Sequence, residues 1–121
     1  MLSEATREAT DKALESFVHQ TIELAGRALR KIVLFGSWAR GDATDESDVD
    51  LLIVLEGNGV LREAVRTLRT DLIIETEVVI STVFMSPEHF AGQVRQPTSF
   101  MQFILEEGRT LYDRGEPGTG Q

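Results

Sequence analysis

Residues 32–55 read IVLFGSWARGDATDESDVDLLIVL, and this stretch sets the plan of the chain. A short β-branched and aromatic run, Ile32–Phe35, has the composition of a buried strand. Gly36-Ser37 breaks it, and Trp38-Ala39-Arg40 suits one helical turn before Gly41. Residues 42–47 (DATDES) are turn formers. The chain then re-enters an apolar run through Asp48 and Asp50, so a second strand is expected over Asp48–Leu55. Two strands joined by a short polar connection bring a Gly-Ser corner and an aspartate pair to one end of a sheet.

Outward from this stretch, residues 3–29 read as a helix. Ser3 is placed as N-cap and Glu4 lies in the first turn, where the helix dipole favours an anion. Ala13, Leu14, Phe17, Val18, Ile22, Leu24, Ala25, Ala28 and Leu29 recur at three- and four-residue spacing, and Gly26 is a place where the helix ends or loosens. After a Gly57-Asn58-Gly59 turn, Val60–Thr70 has helical spacing, with Arg62, Arg66 and Arg69 on one face. Glu75–Met85 (ETEVVISTVFM) is expected as a third strand. A helix follows from about Glu88, with Pro87 in its first turn, and a last one from Pro97 to Glu107 stops at Gly108. The tail after Tyr112 is Gly/Pro-rich and expected to fray. The order α-β-(turn)-β-α-β-α-α predicts the α/β (α+β) class: a small mixed sheet packed by helices, in one domain over 1–112 with a flexible tail over 113–121.

Bulk properties narrow the function classes. At 121 residues the chain has room for one core. Its net charge of −8, from 12 Lys+Arg against 20 Asp+Glu, argues against a duplex-binding protein, which needs a basic surface to neutralise phosphates. It leaves a nucleotide open, because a divalent cation can supply positive charge locally. With no cysteine there are no disulfides, thiolate nucleophiles or sulfur-ligated zinc. No apolar run reaches the roughly 18–20 residues that span a bilayer, and the polar, acidic N-terminus is unlike a signal peptide, so a cytoplasmic protein is expected.

Two local features carry chemistry, each with an ordinary alternative. A strand that turns at once into a helical turn presents backbone N–H groups that bind phosphate; Gly36 allows close approach and Ser37 adds a hydroxyl. The alternative is a tight turn with Ser37 as N-cap. Asp48 and Asp50, two apart in a strand, share a face with Cα atoms roughly 6.5–7 Å apart. Carboxylates that close repel unless a cation lies between them, and Mg²⁺ prefers one or two carboxylates plus water and substrate phosphates. The alternative is a pair of solvated residues at a strand end. Together the two features are more specific than either, because a nucleoside triphosphate would bridge them.

Gly36-Ser37-Trp38-Ala39-Arg40-Gly41, followed by Ser47-Asp48-Val49-Asp50-Leu51, resembles the signature of the polymerase-β-type nucleotidyltransferase superfamily. The Ala-Arg-Gly step, the Ser before the first Asp and the short chain are most similar to its minimal nucleotidyltransferase branch. The resemblance covers Ile32–Met85 and, more loosely, Phe103–Tyr112. It implies a polymerase-β-like fold and transfer of AMP from ATP to an acceptor hydroxyl. Gly36, Ser37 and Arg40 would hold the nucleotide, and Asp48 and Asp50 would bind metal, with two Mg²⁺ ions expected. The branch further implies a paired helical HEPN-type toxin as partner, with AMPylation of its tyrosine or stoichiometric binding as the antitoxin mechanism. The third carboxylate of the family, usually Asp on the next strand, would correspond to Glu77, a catalytic and metal-binding candidate one methylene longer, with Glu75 as substitute.

The remaining candidates have plainer readings. Trp38 either packs or stacks on a base, and Arg40 pairs with Asp42 or reaches a phosphate. The three arginines read as a solvated face, with partner or triphosphate contact as the alternative. His19 and His89 show no metal or triad spacing, and Ser81 and Ser86 lack a Ser-His-Asp context. Transfer to a small molecule, as in aminoglycoside-modifying enzymes, would need a further substrate-binding region.

Overall fold

A computed structural model describes residues 1–57 and 59–115; Asn58 of the expected Gly-Asn-Gly turn and residues 116–121 of the expected tail lie outside the described residues. The first helix, α1 (Glu4–Ala25), is capped by Ser3, whose Oγ accepts from the Thr6 N–H at 3.1 Å. It ends four residues earlier than the apolar spacing suggests. Gly26 takes φ +54°, a conformation that L-residues avoid, and a short 3₁₀ turn over Gly26–Ala28 follows. Leu29 therefore belongs to the first strand, β1 (Leu29–Phe35), where it is buried opposite Leu55.

The single turn α2 (Ser37–Arg40) and the loop lead into β2 (Val49–Leu55). Helix α3 (Gly59–Thr76) crosses to β3 (Ile80–Met85), and two short helices, α4 (Pro87–Arg95) and α5 (Ser99–Glu107), come before β4 (Arg109–Asp113). The strand order is β3-β2-β1-β4, with β1 antiparallel to both β2 and β4, and β2 parallel to β3. The fold is thus a mixed sheet covered by helices, as the composition of the chain leads one to expect.

β2 lies inside the sheet, which accounts for its unbroken Leu-Leu-Ile-Val-Leu run: both of its faces are buried. On one face Leu51, Ile53 and Leu55 pack with Ile32, Leu34 and Ile80 against Phe17 of α1 and Val65 and Leu72 of α3. On the other, Leu52 and Val54 pack with Val33 and Met85 against Met101 and Ile104 of α5. Because side chains alternate along a strand, Asp50 shares the α5-facing side with Leu52 and Val54.

Two elements differ from the sequence reading. Glu75–Val79 is not strand. The buried stripe of α3 continues at helical spacing through Leu72, and the helix hydrogen-bond pattern persists until the Glu77 N–H donates to the Ile73 carbonyl at 2.8 Å. The β-branched run Ile73-Ile74 lies inside the helix, and the third strand starts at Ile80. The second difference is β4, which pairs with the β1 edge over residues that the sequence reading assigns to no element, Asp113 of the expected tail apart. Gly108 makes this return possible. A Cβ there would come within 2.7 Å of Val33 Cγ1 and 2.5 Å of the Ile104 carbonyl oxygen, so α5 could not end so close to the sheet.

Candidate active site

The Gly-Ser corner and the aspartate pair meet. Gly36 has φ +77°, and a Cβ built on it would overlap Asp50 Oδ2. Backbone conformation and close approach both require glycine, so the corner is built against the carboxylate. Phe35 and Asp50 are direct partners in the β1/β2 ladder, which fixes that contact through strand register. Gly36, not Ser37, occupies the N-cap position of α2, and no side-chain hydrogen bond caps this helical turn. The plain reading of Ser37 as an N-cap is therefore not what the fold uses.

Hydrogen bonds hold the loop between the corner and β2. Trp38 Nε1 donates to the Ser47 carbonyl at 3.3 Å while its ring packs at the edge of the main core. Ser47 Oγ accepts from the Thr44 N–H at 2.8 Å. Asp45 Oδ1 accepts from the Ser3 N–H at 2.7 Å, tying the loop to the start of α1 and holding the Asp45 carboxyl below its usual range. Arg40 Nε pairs with Asp42 at 3.3 Å and its Nη1 with Glu107 at 3.5 Å, so the guanidinium links the corner to the end of α5.

Burial, reinforced by the neighbouring Asp48 charge, raises the Asp50 carboxyl above its usual range, with Arg40 acting in the opposite sense. The carboxylate oxygens of Asp48 and Asp50 are hard donors of the kind that could hold Mg²⁺.

The acid expected third, Glu77, lies just past the end of α3. Glu77 follows the last turn of α3 with φ +62°, a left-handed conformation that ends the helix. Thr76 supports it, donating through Oγ1 to the Leu72 carbonyl and accepting from the Val78 N–H. Glu75 lies inside α3. Glu77 shares with Asp48 a cleft of about 500 Å³ that is also lined by Ala5, Thr6, Ala9 and Asp45. It is not beside Asp50: the β2/β3 register places Ser81 there. Among the described residues no three His, Cys, Asp or Glu side chains gather as a metal site. Ser81 carries no sequence signal of this position, because its place beside Asp50 depends on where β3 starts.

The arginines of α3 are not simply solvated. Arg62 and Arg66 lie over the Phe84 ring at 5.8 and 5.0 Å, and Arg69 Nη1 donates to Thr82 Oγ1 at 3.1 Å, all on the face of β3 away from Asp50. His19 pairs with Glu23 at 3.3 Å on exposed helix, and the His89 N–H donates to the Ser86 cap of α4. No helix among the described residues is long and apolar enough to cross a membrane.

Comparison with known proteins agrees with this geometry. Residues 19–117 match the family described as Polymerase beta, Nucleotidyltransferase. The chain is 41% identical over 102 residues to "Putative protein adenylyltransferase MJ0604" of Methanocaldococcus jannaschii, covering 84% of this chain and 97% of that protein. It is 30% identical over 105 residues to "Putative protein adenylyltransferase MJ1305" of the same organism, covering 84% and 70%. Among solved structures, a nucleotidyltransferase from Sulfolobus solfataricus superposes with a TM-score of 0.57 at 19% identity, over 93% of this chain and 90% of that one. A chain of a toxin–antitoxin complex crystallised with AMP-PNP gives 0.55 at 18% identity, over 82% and 73%, a likeness of fold. The chain belongs to the polymerase beta nucleotidyltransferase family.

Proposed function

We propose that this protein transfers AMP from ATP to a protein hydroxyl, a tyrosine of a HEPN-type toxin partner, and so acts as an antitoxin. The observation that carries the reading is the contact of Asp50 with Gly36, which joins the carboxylate pair to the phosphate-binding corner. The M. jannaschii relatives named as protein adenylyltransferases support a protein acceptor, and the toxin–antitoxin neighbour with AMP-PNP supports the partner class.

In the proposed reaction, the acceptor oxygen attacks the α-phosphorus of ATP, the bond to the bridging oxygen of the β-phosphate breaks, and pyrophosphate leaves. The acceptor proton passes to water or to a base on the acceptor. Asp48 and Asp50 would hold Mg²⁺, two ions being expected, which when bound would supply positive charge against the triphosphate and lower the pKa of a bound oxygen. Gly36 and Ser37 bind and orient the triphosphate. Arg40, already committed to Asp42 and Glu107, fixes the corner and adds positive charge beside it. Glu77 lines the adjoining cleft on the Asp48 side and lies outside this ligand set.

Ser81 in place of an acid beside Asp50 bears on the acceptor. Without a carboxylate there to take the proton, the site favours a hydroxyl that ionises readily, and a tyrosine phenol, with a pKa of about 10, is the most acidic of the side-chain hydroxyls. The same serine favours a second reading, in which the protein neutralises its partner by stoichiometric binding and turns over little. Incubation of the purified chain with ATP, Mg²⁺ and the protein encoded beside it separates the two. Intact mass spectrometry showing one or more added AMP units on the partner supports transfer. A stable complex without added mass supports the binding reading and defeats the enzymatic one.

A further inference from the structure

On the opposite side of Asp50 from Ser81, the row of side chains across the sheet continues to Phe35. Next to Phe35 lies a pocket of about 240 Å³, lined by Phe35, Gly36, Arg40, Phe100, Phe103 and Glu107. Pockets that hold whole small ligands run to about 300–1,000 Å³, so this one suits part of a ligand. Its position says which part. Gly36 lines it and also touches Asp50, so the pocket and the phosphate corner share a wall.

The lining is aromatic and preformed. Phe100 stands perpendicular to Phe35 with ring centroids 5.4 Å apart. Phe103, one turn further along α5, is 61% exposed, so its ring is open to a ligand at the pocket. Arg40 and Glu107, paired at 3.5 Å, contribute donors and an acceptor at the same pocket. Flat aromatic walls with a few polar groups are what a nucleobase needs: a π-face to stack on and partners for its polar edge.

We infer that this pocket seats the base of the nucleotide, with Phe103 as the main stacking residue and a purine as the preferred base. The inference rests on the nucleotidyltransfer reading above and deepens it. It also orients the substrates: the base lies on the Phe35 side of Asp50, and the acceptor approaches from the Ser81 side.

Calorimetric titration of the full chain with Mg²⁺ tests it, using three probes: a non-hydrolysable ATP analogue, the corresponding CTP analogue, and inorganic tripolyphosphate, which has no base. The ATP analogue is expected to bind roughly 5- to 100-fold tighter than tripolyphosphate, and tighter than the CTP analogue. Phe103→Ala should remove most of that advantage and leave tripolyphosphate affinity unchanged, and Phe103→Tyr should restore it. Because Phe103 is largely exposed, these variants spare the core. Equal binding of ATP analogue and tripolyphosphate, with both lost in Asp50→Asn, overturns the base pocket and leaves the nucleotidyltransfer reading standing. No binding of any probe to the wild type overturns both. If Phe103→Ala lowers transfer to the protein acceptor while ATP affinity is unchanged, the pocket receives the acceptor and the inference fails.

Discussion

β2 and β3 lie side by side and parallel, paired residue for residue, yet they bring different chemistry to the same end of the sheet. β2 presents Asp50 against Gly36; β3 presents Ser81 beside it. Glu77, three residues before β3, ends a helix in a left-handed conformation. A residue before the strand obeys the geometry of the helix end, so Glu77 meets the cleft from the Asp48 side and not through β3.

The largest effect that tests this contrast is expected from β2. Asp50→Asn should lower AMP transfer by on the order of 100-fold or more, since metal-held charge contributes several kcal/mol to such transition states. Asp48→Asn should act in the same direction, and mass spectrometry of the partner measures both. Removal of a buried charge, with relief of repulsion from Asp48, gives Asp50→Asn a second signature without metal. The folded-state pKa of Asp50 is raised, so the wild type loses stability as pH rises from the ordinary carboxylate range through that raised value. The variant lacks this loss, and thermal melts in chelator across acid to neutral pH should show it.

Gly36→Ala breaks the contact itself. A positive φ costs a non-glycine residue on the order of 1–3 kcal/mol, and the new methyl displaces the Asp50 carboxylate. Chemical denaturation should report that loss of stability, with nucleotide affinity falling alongside it.

Changes around β3 sharpen the contrast from the other side. Ser81→Asp places an acid beside Asp50 and is expected to raise transfer about tenfold or more, within the range of a positioned base. Glu77→Gly should leave transfer within about threefold and stabilise the fold by roughly 0.5–1 kcal/mol, since glycine adopts the left-handed helix end without strain. A large loss of transfer in Glu77→Gly, with the fold intact, would restore that residue to the catalytic set.

The smallest effect belongs to the loop. The Asp45 carboxyl accepts from the Ser3 N–H, and its folded pKa is lowered. Its stabilisation is full above the ordinary carboxylate range and is lost as pH falls through the lowered value. Asp45→Asn should therefore melt below the wild type at neutral pH, with the difference shrinking in acid.

Most of the site was legible in residues 32–55, for a physical reason. The corner, the loop and Asp48-Val49-Asp50 form one short segment. Its geometry follows from glycine conformation, turn chemistry and strand alternation, all of them local. The same is true of the Ser3 and Ser86 caps and of the Phe17 stripe of α1. Residues 71–80 were not legible, because Ile73-Ile74 has strand-like composition within a helix that tertiary packing of Leu72 extends. β4 was missed since five residues with little burial carry no strong period, and its pairing depends on how closely Gly108 lets α5 approach β1.

From local chemistry alone, then, come the family signature, the mixed α/β plan and the two aspartates. The partner of Asp50 across each neighbouring strand, Phe35 on one side and Ser81 on the other, is a matter of register between segments far apart in sequence. Register is set by the whole packed sheet, and so only the folded chain shows that Asp50 has Ser81 on one side and an aromatic pocket on the other.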